Sequence, residues 1–189
     1  MSGVAVAVAV ALLGLHVALG LLVDHQAGPL GPDRAAFDVL DPLHTATGID
    51  VVAVLTDLGS FPVALAVAVA GALYAGRQRR LGQAIGLVIG VLLLLIAVNV
   101  TKELWGRPRP TRMLTGARGL SFPSGHAAYA TTWLAAAMVT GRRGLIAATA
   151  VLIAAVMTSR LYLHVHYLTD VVGGAALGGA VFAAVRIRR

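Results

Sequence analysis

The sequence is short of two things that soluble proteins usually carry. It contains no cysteine in 189 residues, which excludes disulfide bonds, thiolate metal sites and a cysteine nucleophile. Only 12% of the residues are charged, whereas 58% are hydrophobic. A soluble globular domain carries roughly 25% charged residues, so this composition indicates a membrane protein. We expect a single integral-membrane domain over residues 1–189.

Alternating strand patterns are also missing, and long apolar runs fill the chain instead. We predict six transmembrane helices, over residues 3–23, 51–75, 81–101, 124–140, 144–162 and 168–186. Each run is close to the roughly 20 residues that a helix needs to cross the hydrocarbon core. Because a barrel strand would alternate polar and apolar residues, the predicted fold is an all-α polytopic membrane bundle. The first run lacks a basic leader and is predicted to be a retained helix, not a signal peptide.

The charged residues that are present favour one orientation of this bundle. The links after the second and fourth runs and the end of the chain hold arginines, whereas the 24–50 link holds five aspartates and one arginine. Because basic residues collect in cytoplasmic loops, both termini are predicted to be cytoplasmic, with links 24–50, 102–123 and 163–167 outside. The net charge of +7 then follows from topology, and no nucleic-acid partner is predicted.

Two of the external links depart from a simple pattern. The 102–123 link is itself basic, against the trend, and is therefore predicted to have a functional role. In the acidic link, a short interfacial helix around 33–46 would turn Phe37, Leu40 and Leu43 toward lipid. A solvated loop is nevertheless the favoured prediction for that link.

One acid, Asp57, falls inside the second predicted span. Ionisable groups at this depth are costly and rarely accidental. We expect Asp57 to bond one helix to another or to cap a helix break at Gly59, and a role in proton transfer or substrate binding is the alternative.

Ionisable residues gather at the predicted outer ends of the third to sixth spans. They are Lys102, Arg109, His126, Arg160, His166 and Asp170. His166 and Asp170 are four residues apart and share a helix face, so the carboxylate can fix the tautomer of the ring and leave one nitrogen as a free lone pair. This spacing predicts a nucleophile or a base at His166. His164 is six residues from Asp170 and is predicted to be a packing residue.

The residues at the start of the fourth span are typical of an anion site. Pro123, Ser124 and Gly125 stand where a helix begins, and the exposed N–H groups of such a helix start bind anions. His126 follows directly. The lysine and the two arginines named above would add three positive charges. Together these groups suit a phosphoryl group, whose transition state spreads charge over three equatorial oxygens.

Three short motifs carry a resemblance to a known family. They are Lys102-x6-Arg109-Pro110, Pro123-Ser124-Gly125-His126 and Ser159-Arg160-x5-His166-x3-Asp170. In this order and spacing they match the three signature motifs of the type 2 phosphatidic acid phosphatase and haloperoxidase superfamily. The chain resembles the membrane lipid phosphatase branch, and the six-span layout extends the likeness over nearly the whole chain.

The resemblance implies a role for each matched position. His166 would attack phosphorus and form a phosphohistidine, Asp170 would orient it, and His126 would protonate the leaving oxygen and then activate water. The phosphate oxygens would be held by Lys102, Arg109, Ser124, Gly125 and Arg160. The family's phosphatases use no metal, so neither a metal nor another cofactor is expected.

The resemblance also implies a bacterial plasma-membrane enzyme with its site on the extracytoplasmic side. Its substrate in the bilayer would be a lipid phosphate or diphosphate: undecaprenyl diphosphate, phosphatidylglycerol phosphate or phosphatidic acid. Arg107, Arg112 and Arg118 are candidate headgroup contacts, which favours a diphosphate, although they would equally attract anionic lipid. A non-enzymatic lipid-phosphate carrier on the same fold is the alternative. A haloperoxidase of this superfamily would be soluble, which the apolar sequence does not fit.

Overall fold

The apolar runs fold into eight α-helices in residues 3–185, the part of the chain that this computed structural model describes. They are α1 Gly3–Val23, α2 Gly31–Leu40, α3 Ala46–Leu55, α4 Phe61–Arg77, α5 Leu81–Trp105, α6 Gly125–Thr140, α7 Arg143–Tyr162 and α8 Leu168–Ala184. The predicted all-α bundle is confirmed. The predicted end of the sixth span at 186 and the arginines of the chain end lie outside the described residues.

Three of these helices, α1, α5 and α7, are each long and apolar enough to cross a membrane. The pair α3 and α4 passes the same test as a bent unit, which would make a fourth span. Helices α6 and α8 have 16 and 17 residues, fewer than the roughly 20 that a straight span needs. The chain is a multi-pass membrane protein, while the count of six spans and the side on which the termini lie stay predictions.

The second predicted span, 51–75, is broken. Helix α3 ends at Leu55, a 3-10 turn covers Thr56–Gly59, and α4 restarts at Phe61 with its axis bent by 45°. Pro62 in the first turn of α4 explains the restart, because proline has no N–H and its ring clashes with a preceding helical turn. The continuous helix expected here is therefore wrong, and a polar turn interrupts the membrane segment.

Helices α6 and α8 lie at the centre of the bundle and pack closely on each other. A Cβ at Gly174 would collide with the carbonyl oxygen of Ser124, and one at Gly178 would collide with the side chain of Thr131. Glycine at these positions lets the two backbones approach, as small residues do in membrane helix pairs. Around this pair, apolar side chains of α4 and α5 form the main core, including Ala64, Leu87, Leu94 and Val98.

The acidic 24–50 link contains a helix, so the favoured prediction of a solvated loop there is wrong. Helix α2 and the 3-10 turn Asp41–Leu43 lie against one end of the bundle. Leu40 packs on a buried apolar cluster formed by α6, α7 and α8, and the ring of Phe37 lies 4.3 Å from that of His164. Burial of these apolar groups fixes the helix. Two of the three side chains expected to face lipid therefore face protein, while Leu43 is exposed.

The basic link starts later than predicted, because α5 continues to Trp105. Gly106 ends the helix in the left-handed conformation, with a φ of 56°, and its N–H donates to the carbonyl of Lys102. The link then returns across the end of the bundle, where the N–H of Leu114 donates to the carbonyl of Leu163 at 3.0 Å. Lys102 is thereby placed in the last helical turn, beneath the link.

Candidate active site

A cavity of about 510 Å³ lies at one end of the bundle, beside the link that follows α5. Six of the eight predicted catalytic and phosphate-binding residues line it: Lys102, Arg109, Gly125, His126, Arg160 and His166. They come from separate stretches of the chain, so it is the fold that assembles them. The other two, Ser124 and Asp170, are fully buried. Ser124 directly precedes Gly125 in the chain, and Oδ2 of Asp170 lies 3.4 Å from Nδ1 of His166, so both are next to residues that line the cavity.

His166 lies in the short turn that joins α7 to α8. Its Nε2 atom is 3.1 Å from Nη1 of Arg109, and its Nδ1 atom is 3.4 Å from Oδ2 of Asp170. A guanidinium group only donates hydrogen bonds, so Nε2 is the acceptor and carries the lone pair. Nδ1 then carries the proton and faces the carboxylate.

Burial controls the charge of this histidine. The His166 ring is almost wholly buried, and the loss of hydration lowers its pKa to about 3, although Asp170 opposes this shift by favouring the charged form. The ring is therefore neutral near pH 7, and its Nε2 lone pair faces the guanidinium group of Arg109. Burial also lowers the pKa of Arg109, again against the attraction of Asp170. A guanidinium group nevertheless stays protonated in proteins.

Asp170 belongs to a buried network that the motifs do not reveal. Its Oδ1 accepts a hydrogen bond from Nη1 of Arg107 at 2.7 Å, and its Oδ2 accepts one from the backbone N–H of Tyr167 at 2.8 Å. Nη2 of Arg107 pairs with Asp33 of α2 at 2.8 Å. Asp33, Arg107 and Asp170 are each 0% exposed. One buried cation therefore bridges two buried carboxylates.

The position of Arg107 contradicts the prediction that it contacts a substrate headgroup. Its guanidinium group is fully buried and lies 3.9 Å from the centre of the Tyr167 ring. Its two terminal nitrogens donate to Asp33 and Asp170, so they do not reach the cavity. The physical reason is charge balance, because a buried arginine must be paired, and the acidic 24–50 link supplies the second carboxylate through Asp33.

Ser121 is a site residue that sequence reasoning missed. Its Oγ donates a hydrogen bond to Oδ2 of Asp170 and lies 3.4 Å from Nδ1 of His166. The hydroxyl therefore contacts both members of the histidine–carboxylate pair. The backbone N–H of Ser121 donates to the carbonyl of Arg107 at 2.7 Å, which fixes its position. In the sequence, only its place two residues before Pro123 marks it.

Three of the four cations that line the cavity are not paired with a carboxylate at salt-bridge distance in the described part of the chain. Lys102, Arg109 and Arg160 form no ion pair within residues 3–185. Neutral oxygens hold them instead, since Lys102 donates to a carbonyl of the following link, Arg109 to the carbonyl of Val165 and Arg160 to the hydroxyl of Thr56. These side chains are positioned without being neutralised, which leaves their charge for a bound anion.

The start of α6 supplies neutral donors at the same place. Gly125 and His126 occupy the first helical turn, where backbone N–H groups have no acceptor within the helix. Ser124 precedes them and is 0% exposed, and its Oγ has no hydrogen-bond partner among the described residues. A buried hydroxyl without a partner is costly. This arrangement favours an anion at the helix start.

The other two predicted headgroup contacts lie apart from each other. Arg118 lines the 510 Å³ cavity. Arg112 instead lines a separate cavity of about 300 Å³, together with Arg34, Asp38 and His164. Of the three arginines, Arg118 is therefore the one that lines the main cavity.

Asp57, whose role the sequence left open, also lines the main cavity. It projects from the 3-10 turn at the break between α3 and α4, next to Thr56. The neutral polar side chains of Asn99 and Tyr129 line the cavity as well. The cavity thus combines a cationic region with one carboxylate and several uncharged polar groups.

A second histidine group lies outside this cavity. Asp41, His44 and His164 bring three potential metal-ligand atoms within 4.8 Å of one another. In the structure these groups bond to protein: Nε2 of His164 pairs with Asp41 at 2.7 Å, and Nε2 of His44 with the carbonyl of Tyr162 at 2.8 Å. They tie the turn after α2 to the end of α7, and His164 packs on Phe37 as predicted.

Fold and site together define a class of protein: a helical membrane protein whose cationic cavity holds a neutral histidine backed by a buried carboxylate. The sequence model of the PAP2 superfamily matches residues 83–188, more than half of the chain. The chain belongs to the PAP2 superfamily.

Two individual proteins are similar to it. The decaprenylphosphoryl-5-phosphoribose phosphatase of Mycolicibacterium smegmatis is 40% identical over 116 residues, which are 58% of this chain and 61% of that protein. The chain thus covers less than two thirds of this relative. The crystal structure of a transmembrane PAP2 type phosphatidylglycerolphosphate phosphatase from Bacillus subtilis has a TM-score of 0.77, with 94% of this chain and 93% of the other covered at 24% identity. This second likeness shows the fold.

Proposed function

We propose that the protein is a membrane lipid phosphatase in which His166 forms a phosphohistidine. The observation that carries this proposal is the orientation of the His166 ring. Its Nε2 atom accepts a hydrogen bond from Arg109, in a cavity where three cations without ion-pair partners among the described residues converge. A neutral imidazole backed by a carboxylate is a nucleophile. Unpaired cations beside it bind a phosphoryl group and stabilise its transition state.

In the first step, the Nε2 lone pair of the nucleophile attacks phosphorus in line with the ester oxygen. The N–P bond forms while the P–O bond to the lipid breaks, and Lys102, Arg109 and Arg160 stabilise the equatorial oxygens. Asp170 stabilises the positive charge that the ring gains. His126, which lines the same cavity, takes up a proton when the negative phosphate offsets the nearby cations, and it gives that proton to the leaving oxygen, so that the lipid departs as an alcohol.

In the second step, the now neutral His126 takes a proton from water, whose oxygen attacks phosphorus. The N–P bond breaks, its electron pair returns to Nε2 of His166, and inorganic phosphate leaves. His126 is protonated again at the end of the cycle. The groups that line the cavity therefore supply the nucleophile, the acid, the base and the charge stabilisation.

An apolar groove supports a lipid as the substrate. A cavity of about 420 Å³ between α3 and α7 is lined mostly by apolar side chains, among them Leu55, Leu58 and Val156. It adjoins the cationic cavity where the hydroxyl of Ser159 donates to that of Thr56 at 2.8 Å. We infer that a lipid chain lies in this groove while its phosphate lies among the cations.

The candidate substrates are lipids that end in a phosphate. Undecaprenyl diphosphate, phosphatidylglycerol phosphate and phosphatidic acid follow from the family, and the 40% identical relative adds decaprenylphosphoryl-5-phosphoribose. The expectation of a diphosphate substrate rested on three arginines that could hold a second phosphate. Two of them are not available for this role, because Arg107 is buried and Arg112 lines another cavity. We therefore propose a phosphate monoester, hydrolysed on the extracytoplasmic side of the membrane.

Phosphate release by purified protein in detergent tests this function. With EDTA present, we expect release from at least one of the four lipids and a loss of about a thousandfold or more in His166→Ala. His25→Ala is the matched control, because the His25 side chain is 74% exposed and lies outside the cavity. Quenching with labelled substrate should trap an acid-labile phosphoryl group on the wild type and not on His166→Ala.

Two results would contradict the proposal in different ways. Near-normal phosphate release by His166→Ala would exclude this histidine as the nucleophile. A folded wild-type protein that releases phosphate from none of the four lipids would favour a lipid-phosphate carrier, and lipid exchange that survives His166→Ala would support that alternative.

A further inference from the structure

Asp57 places a negative charge in a cavity that otherwise attracts anions. It lines the 510 Å³ cavity together with Lys102, Arg109 and Arg160. Its side chain is exposed, and within residues 3–185 its carboxylate forms no ion pair. A phosphate held by the cations is repelled by a nearby carboxylate. The carboxylate therefore suits a different part of the ligand.

The turn that carries Asp57 is fixed against α6. The carbonyl of Leu58 accepts a hydrogen bond from Nε1 of Trp133 at 3.0 Å. Gly59 lies so close to the start of α6 that an added Cβ would be 2.9 Å from the carbonyl oxygen of His126. The carboxylate is therefore presented by a rigid backbone, next to the helix that bears the proposed acid.

Neighbouring groups in the cavity also accept hydrogen bonds. Asn99, Thr115 and Tyr129 line it. Nδ2 of Asn99 donates to the carbonyl of Leu95 at 2.8 Å, which leaves its Oδ1 as an acceptor. An ionised carboxylate only accepts, so a ligand that satisfies Asp57 must bring donors. Hydroxyl groups are such donors, and two carboxylate oxygens suit two neighbouring hydroxyls.

We propose that Asp57 binds hydroxyl groups of the leaving group, so that the substrate is a lipid-linked polyol or sugar phosphate. This inference rests on the proposed function, which places the phosphate on the cations and leaves the rest of the headgroup against the turn at residues 56–59. With a headgroup that lacks hydroxyls, Asp57 attracts Arg160 and repels the phosphate but binds no part of the ligand. The cavity thus selects a phosphate that has hydroxyls close to it.

The test compares two substrates that differ only in their hydroxyl groups. They are a prenylphosphoryl-5-phosphoribose and its 2,3-dideoxy analogue, and kcat/KM for phosphate release is measured on both. The wild type should favour the hydroxylated substrate by about tenfold or more, as a hydrogen bond to a charged group implies. Asp57→Ala should lose this preference, and Asp57→Asn, which keeps one acceptor oxygen, should fall between the two.

A matched variant controls for a general effect of charge. Asp50→Ala removes an exposed carboxylate from α3, the helix that leads into the turn, and Asp50 lines none of the three cavities described above. It should keep the wild-type preference. Thermal unfolding of each variant verifies that the protein is folded.

Several outcomes would overturn the inference while leaving the phosphatase intact. They are equal rates of the wild type on both ribose lipids, a preference that survives in Asp57→Ala, and a wild type that hydrolyses phosphatidic acid but neither ribose lipid. An equal loss on both substrates in Asp57→Ala also overturns it, since the carboxylate would then act on the cations. A folded wild type that is inactive on every lipid refutes the proposed function itself, and the inference with it.

Discussion

Replacing Arg107 with methionine removes the one cation that two buried carboxylates share. Methionine keeps an unbranched apolar side chain, but Asp33 and Asp170, both 0% exposed, lose their charged partner. Breaking a buried ion pair costs about 3–5 kcal/mol, because the remaining charge is left uncompensated. For a chain of this size, such a cost lowers Tm by roughly 6–20 °C.

Thermal unfolding in detergent measures this loss, and a double-mutant cycle assigns it. Asp33→Asn removes one of the two carboxylate charges. The loss of unfolding free energy in the double variant with Arg107→Met should therefore be smaller than the sum of the two single losses, by about 1–3 kcal/mol. The value of kcat should also fall in Arg107→Met, because Asp170 loses a partner that fixes it behind His166.

Arg112→Met is the matched control, because it makes the same replacement in the same link at an exposed position. It should unfold at nearly the wild-type temperature. Equal melting temperatures for the Arg107 and Arg112 variants would refute a buried bridging role for Arg107. Strict additivity in the cycle would show that Arg107 and Asp33 do not interact.

Other contacts lead to separate expectations. Ser121→Ala removes the hydroxyl that contacts Asp170 and His166, and it should lower kcat by about tenfold with little change in KM. Steady-state phosphate release measures this, and an unchanged kcat would contradict the prediction. Because the pKa of His166 is lowered to about 3, its ring stays neutral until the pH falls toward that value. Its NMR signals, assigned with His166→Ala, should not titrate between about pH 5 and 8, and a midpoint at the ordinary value of about 6.5 would contradict the burial effect. Gly174→Ala places a Cβ against the carbonyl of Ser124 and should lower the free energy of unfolding by about 1–3 kcal/mol. The control is Gly82→Ala, whose Cβ meets no atom within 4 Å. Equal thermal unfolding of the two variants would argue against the close helix packing.

The helices were predictable where a long apolar run is free of proline. The predicted 3–23 and 144–162 spans match α1 and α7 within about one residue, a difference that lies inside the usual uncertainty of helix ends. The break at Thr56–Gly59 was foreseen only as one of the possible roles for Asp57, because the apolar run continues on both sides of Pro62. Average hydrophobicity does not register the lost N–H that forces the helix to restart.

The site was predictable where spacing is local. His166 and Asp170 are four residues apart, and one helical turn brings them together. The contacts of Asp170 with Arg107 and Ser121 join residues 63 and 49 positions apart. Charge shows that Arg107 needs a partner, but it does not show which of several acids lies nearby. Such pairs depend on the tertiary path of the 102–123 link across the bundle, which local patterns do not encode.

The bridge of Asp33, Arg107 and Asp170 draws on three segments that leave the ribosome at very different times. Asp170 lies in the first turn of α8, the last helix of the described chain. Until α8 has entered the bilayer, Arg107 has one carboxylate instead of two, and the cavity lacks the turn that carries His166. The proposed phosphatase site is therefore complete only once α8, the last helix of the described chain, has packed into the bundle.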